Sequence, residues 1–486
     1  MRRFQSVLVI TLLALLAGLI EPVGTTAATA AVTCLPNNPL APAHNATNLS
    51  PSGISGRPSA NIGQAAIEPP APGQPSWNGD DRVNDVIQIG DTVYAAGLFK
   101  TWIWKGTNYP RQNIVAFNAS TGEPTAFAPQ VNNEIFSLTP SCDGSAVFIG
   151  GVFTSVGGQP RNYAAEISVA TSAPTVWNPK PNGWVTDVSV MHGHLVVSGY
   201  FTQIGGVSRT NWASFDANGT SSAIDSWLNI PVSGADPDGP QRVTKVVANN
   251  TGDYAVVIGN FNTLGGQNHR RIAMIGLTDS QATLLPWATP ITASNNNANG
   301  GTDCRQTSPA PEQDVAWNPS DTNFFIDSTG GAQPGQTDCD AASKWDGADV
   351  TNQSAMPLGV EYTGGDSLSA IACTDQSCFV SGHERWANNP PLDPKVFVTP
   401  CSTVPPKRRT GYAGYNCKGP NAVDRPGVYE INIQTWHVTA WNPTRSKQVG
   451  MHNSMMITPQ GLWIGTDGNY AAGILHNDMV LFPFVN

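Results

Sequence analysis

The chain has 486 residues, of which 12% are charged and 40% hydrophobic, with 48 Gly, 39 Pro and 14 Trp. So few charged helix formers beside so many turn formers exclude a mainly helical protein, and the apolar content excludes a disordered one. The net charge of −10 arises from 35 acidic and 25 basic residues, with no run of Lys and Arg suited to tracking phosphates, so nucleic acid is not an expected partner.

The first element is an address. Arg2 and Arg3 precede a short apolar run over 7–19, and Ala28-Thr29-Ala30 supplies small residues for cleavage. Residues 1–31 therefore read as a signal peptide. The apolar run is too short for a comfortable membrane span, and no later segment reaches 18 apolar residues. The expected product is secreted or held at the cell surface, without a membrane span and as a monomer. Eight Cys agree with an oxidising compartment, and their spacing lacks the paired pattern of a zinc site. Cys373–Cys378 suits a hairpin tip, Cys401–Cys417 and Cys304–Cys339 fit within long loops, and Cys34–Cys142 is the remaining pair.

After an N-terminal segment, 32–79, one pattern recurs to the end of the chain. "GLF" at 97–99 is followed by "GVFTSVGG" at 151–158, "GYFTQIGG" at 199–206 and "GNFNTLGG" at 259–266. Arg161 and Arg209 stand eight residues after the Phe, Arg111 is its delayed counterpart, and His269 takes the place in the fourth copy beside Arg270 and Arg271. Before each motif lie two short β-type runs, such as "VNDVIQIGDTVYAAG", "VTDVSVMHGHLVVSG" and "VTKVVANNTGDYAVVIG". Seven such pairs start near 83, 135, 185, 243, 315, 368 and 454. Each is followed by a third run and by a fourth that often ends in an aromatic and Pro, as in "FAP" at 127–129 and "WNP" at 177–179.

Four short strands repeated at this period predict an all-β, seven-bladed β-propeller of four-stranded antiparallel blades over 80–486, with loop insertions near 288–312 and 387–426. The Gly pairs are expected at strand ends, the Phe as a plug between blades, and the Arg on turn carbonyls or a neighbouring Trp. The last run, "NDMVLFPFVN", aligns with third strands, so the chain stops one strand short. A piece of 55–76 is expected to complete the last blade.

The GxFTxxGG…Arg pattern resembles that of exported bacterial delta-sixty repeat β-propeller proteins, over roughly residues 80–486. The resemblance implies the propeller and the export but no activity, because most members have no assigned function. Units five to seven depart from the pattern.

No G-x-S-x-G, H-E-x-x-H or Walker loop is present. Trp102, Trp104 and Tyr109, in "FKTWIWKGTNYP", suit sugar stacking or a protein contact, and equally suit packing on a neighbouring blade. His452 beside Met451, Met455 and Met456 suits a soft metal or an axial ligand, with core packing as the plainer alternative. His192 and His194 read as turn residues that could also hold a metal. No cofactor is required, although Asp236 and Asp238 in "ADPDGPQ" offer oxygens to calcium. The preferred function is extracellular non-catalytic binding or scaffolding, with a cell-wall polysaccharide or another exported protein as partner. The alternative is a secreted glycan hydrolase or lyase with an axial active site, and a lectin with one site per blade is a third reading.

Overall fold

Seven antiparallel sheets of three or four strands each carry one copy of the repeat. The structure, a computed structural model, describes residues 54–55, 59–66, 81–219, 221–236, 239–292, 312–329, 339–363, 366–388, 422–443, 454–468, 470–472, 474–475 and 478–484. Among these residues there is no helix, and so none long and apolar enough to cross a membrane. The first strands of the seven units are Arg82–Ile89, Ile135–Pro140, Val185–Met191, Arg242–Ala248, Glu312–Trp317, Leu368–Cys373 and Ser454–Thr458. In each sheet the second strand lies between the first and the third.

The repeat motif has a definite physical basis. Gly150 and Gly151 end the second strand of unit two, where a Cβ would lie 2.5 Å from a Val185 methyl and 2.3 Å from the Glu134 carbonyl, respectively. The second pair has a different role from the one expected. Gly157 and Gly158 have φ of +57° and +76° and form the two-residue turn of a small hairpin joining Ser155–Val156 to Gln159–Pro160. That turn requires left-handed backbone at both central residues, which glycine adopts freely. Phe99, Phe153, Phe201 and Phe261 are all fully buried, each in a cluster shared by two successive sheets. The Arg side chains are clamps. Arg161 donates to the Pro160 carbonyl at 2.9 Å and the Thr175 carbonyl at 2.6 Å, tying the motif to the fourth run of its own unit. Arg111 does the same with Pro110 and Thr125, and Arg425 with Asp424 and Thr439.

Units four, five and six have four regular strands, whereas the fourth run of units one and two is reduced to an isolated bridge at Pro124 and Pro174. Proline has no N–H to extend a ladder, which explains the shortening.

Seven hydrophobic clusters fill the spaces between successive sheets, and one of them joins Trp463, Met479 and Leu481 of unit seven to Val83, Val93 and Phe117 of unit one. First strands pack against one another in chain order, and that of unit seven packs against that of unit one. The N-terminal segment meets the final strand: Ile54 bridges Phe484, and the amides of Ser55 and Ser59 donate to the carbonyls of Pro483 and Leu481. Further along, Gln64–Ala66 pairs with Thr101–Trp104 of unit one.

Candidate functional site

A cavity of about 360 Å³ is walled by the first strands of units one, two, three, four and seven. Its polar end is built by a β-bulge. In six of the seven first strands the register slips after the first or second residue, as between Val83 and Asp85 or Val185 and Asp187. A bulge leaves backbone polar groups out of the ladder and re-aims the next side chain. The residue after each slip is Asp85, Ser137, Asp187, Lys245, Asp314 and Ala370, and Met455 holds the matching place in unit seven.

These side chains reach from one strand to the next. The Leu138 amide donates to Asp85 at 2.7 Å, the Val188 amide to Ser137 at 3.2 Å, the Val246 amide to Asp187 at 3.0 Å, and the Ile371 amide to Asp314 at 3.1 Å. Lys245 cannot accept such a bond, and its ammonium instead pairs with Asp314. Burial pushes the Asp85 carboxyl up to about 6, partly opposed by Lys245 and by the amides of Leu138 and Val86. Burial also raises Asp187, again against Lys245. For Lys245, burial alone would lower the pKa, but Asp314, Asp187 and Asp85 outweigh it and the ammonium is held above its ordinary value. This end of the cavity is thus a compact group of carboxylates around one cation.

Of the residues singled out from sequence, Met455 and Met456 line this cavity, and the other described ones lie elsewhere. Trp102 is fully buried, stacked on Phe117 at 5.3 Å and covered by the segment at Gly63, so it packs the core and offers no stacking face. Trp104 donates its indole N–H to the Asn61 carbonyl at 3.1 Å and carries Lys105 over its ring, with Tyr109 beside it. Asp236 is not open to calcium: it is buried and holds Arg270 through two bonds of 2.8 and 2.7 Å. Its carboxylate is already neutralised by a guanidinium fork. Asp238 and His452 lie outside the described residues. His192 faces Asp279 and the Gly252 carbonyl, and His194 bonds Asp225 while stacking on Trp227, so both are turn and packing residues. No group of three or more His, Cys, Asp or Glu suited to a metal occurs among the described residues.

Cys373 and Cys378 form the expected disulfide across a hairpin tip. Cys142 and Cys339 are disulfide-bonded as well, while Cys34, Cys304, Cys401 and Cys417 lie outside the described residues.

No protein-family model matches the chain, and no curated protein does. The chain is similar to the crystal structure of the computationally designed Ika8 protein, at 9% identity over 83% of this chain and 96% of that one, with a TM-score of 0.42. A likeness at that level carries no argument.

Proposed function

We propose that the chain is a seven-bladed propeller closed by its N-terminal segment, and that it acts outside the cell as a non-catalytic binding protein. Its ligand is a cell-wall polysaccharide or another exported protein, and the axial cavity takes it. The cyclic order of packing and the contact of Ile54, Ser55 and Ser59 with the last strand support the closed ring. The disulfide and the N-terminal sequence support an oxidising, extracellular setting.

The observation that carries the binding reading is how the cavity's carboxylates are used. Asp85 and Asp187 each hold a backbone amide of the next strand, an arrangement that builds a rigid, preformed site. Asp85, at about 6, is the one observation that favours a hydrolase instead, because a carboxyl that titrates this close to neutrality suits a general acid.

The test compares the wild-type protein with Thr139→Trp, which fills the cavity from one wall, on an array of wall-derived glycans. Saturable binding by wild type, lost in a variant that melts at the same temperature, is the expected result. Binding unaffected by the plug would remove the cavity from consideration, and release of reducing ends from a bound glycan would establish the hydrolase.

A further inference from the structure

We propose that the axial cavity selects a ligand bearing a primary ammonium group, so that its polysaccharide ligand carries free amino groups on its sugars. This rests on the cavity being the glycan site, and it adds the chemical feature that is recognised.

The argument begins with charge. Two carboxylates, Asp85 and Asp187, line the polar end of the cavity beside one cation, Lys245, and a third, Asp314, reaches that cation from outside the lining. Lys245 is paired directly with Asp314, which leaves the charges of Asp85 and Asp187 in excess. No other charged residue lines the cavity among the described residues. The remaining walls include Ile87, Val190 and Ile457, which lower the local dielectric and strengthen any charge interaction made there. An anion would meet net repulsion, and a neutral sugar would gain nothing from the surplus charge.

Geometry permits the contact. Asp85 accepts one amide on each oxygen, from Val86 and Leu138, and Asp187 accepts the Val246 amide and the Ser137 and Ser189 hydroxyls, so one acceptor position remains on each Asp85 oxygen and on the Asp187 oxygen bonded to Ser137 for an ammonium. The cavity volume lies at the lower end of the range that accommodates small ligands, enough for the end of a glycan chain.

The state of Asp85 makes the selection depend on pH. The charged groups around it are Lys245 and Asp187, with uncharged Ser137 and Met455 on the strands to either side. Its carboxyl titrates near 6, so acidification from pH 7 to pH 5 removes one of the two surplus charges, while a sugar amine, which loses its proton near neutrality, only becomes more fully charged.

The test is calorimetry at low salt with a glucosamine tetramer and its fully N-acetylated counterpart, which share a backbone and differ in charge. At pH 7, where Asp85 is largely ionised and part of the sugar amines are protonated, the glucosamine tetramer should bind at least about tenfold more tightly, the scale of one hydrogen bond to a charged group. Asp85→Asn and Asp187→Asn should each abolish most of that preference, and so should wild type at pH 5. Glu123→Gln, which makes the same charge change on an exposed outer turn, should preserve it. A preference that survives both Asn variants, or falls equally with Glu123→Gln, would overturn the proposal. Equal binding of the two tetramers would also overturn it while leaving the glycan site intact, and binding of neither would remove both.

Discussion

Replacing Glu361 with Gln should flatten the pH dependence of stability. Glu361 lies on the fourth strand of unit five, Gly359–Tyr362, and is almost wholly buried. Burial lifts its carboxyl from 4.5 to about 8, against bonds donated by the Tyr429 hydroxyl at 2.5 Å and by the Asn388 amide. A carboxyl that holds its proton more tightly in the folded chain stabilises the fold when protonated. That stabilisation is complete below pH 4.5 and is lost as the pH rises through 8. One group contributes a slope of about 1.4 kcal/mol per pH unit across that window, so the loss approaches about 5 kcal/mol. Glutamine accepts the Asn388 N–H through its carbonyl and donates its amide to the Tyr429 oxygen, whose hydroxyl proton turns away. The variant should therefore match wild type near pH 5 and exceed it by several kcal/mol at pH 9. Urea midpoints at pH 5, 7 and 9 measure this directly. Parallel pH profiles for the two proteins would refute the assignment of a buried, protonated Glu361.

Three further outcomes follow from the packing. Arg161→Ala should cost about 1–2 kcal/mol by freeing the Thr175 carbonyl, and Arg161→Lys should not restore it, because an ammonium lacks the fork that spans Pro160 and Thr175; an unchanged urea midpoint for the Ala variant would show that the clamp has no weight. Replacing both Cys373 and Cys378 with Ser opens a loop of five residues and should lower stability by about 2 kcal/mol on the chain-entropy estimate, read from melting under oxidising conditions. Ile54→Asp places a charge against Leu462, Ile464 and Phe482, and should cost about 3 kcal/mol while speeding amide exchange in Met479–Pro483 ahead of other strands; uniform exchange would mean that the N-terminal segment does not secure the last sheet.

The strands were legible because the repeat exposes them. Alternating runs, the Phe at a fixed offset from the second strand and an Arg eight residues beyond appear several times, and each copy supports the others. Other features were hidden for identifiable reasons. Trp102 stands in a loop that reads as polar and exposed, and the segment that covers it is some forty residues upstream, at Gly63. Asp236 reads as a turn residue, while its partner Arg270 lies 34 residues away. The cavity's polar end was overlooked although "VNDV", "VTDV" and "VTKV" display it at one position of the repeat. Alternation assigns that position to an ordinary strand face, and only the bulge, which no residue type announces, turns it toward the next strand.

That position explains how a repeated scaffold obtains a single asymmetric site. Seven equivalent places hold Asp85, Ser137, Asp187, Lys245, Asp314, Ala370 and Met455, so the backbone repeats and the chemistry does not. Where the preceding strand offers an acceptor, that acceptor takes the amide after the bulge. Where it offers Lys245 or Met455, the strand's own carboxylate takes it: Asp314 accepts from Val315 and Asp85 from Val86, both at 2.8 Å. Asp85 and Asp187 therefore each do two separable things, fixing a bulge through hydrogen bonds and placing negative charge at the cavity. Asparagine keeps one accepting oxygen, so Asp85→Asn removes the charge and one of the two bonds from Val86 and Leu138, whereas alanine leaves both amides unpaired, at about 1–3 kcal/mol each. Asp85→Asn should therefore lose ligand selectivity at a smaller stability cost than Asp85→Ala, which should lose selectivity and both bonds. If the two variants melt alike, the bonds to Leu138 and Val86 are not what holds the bulge.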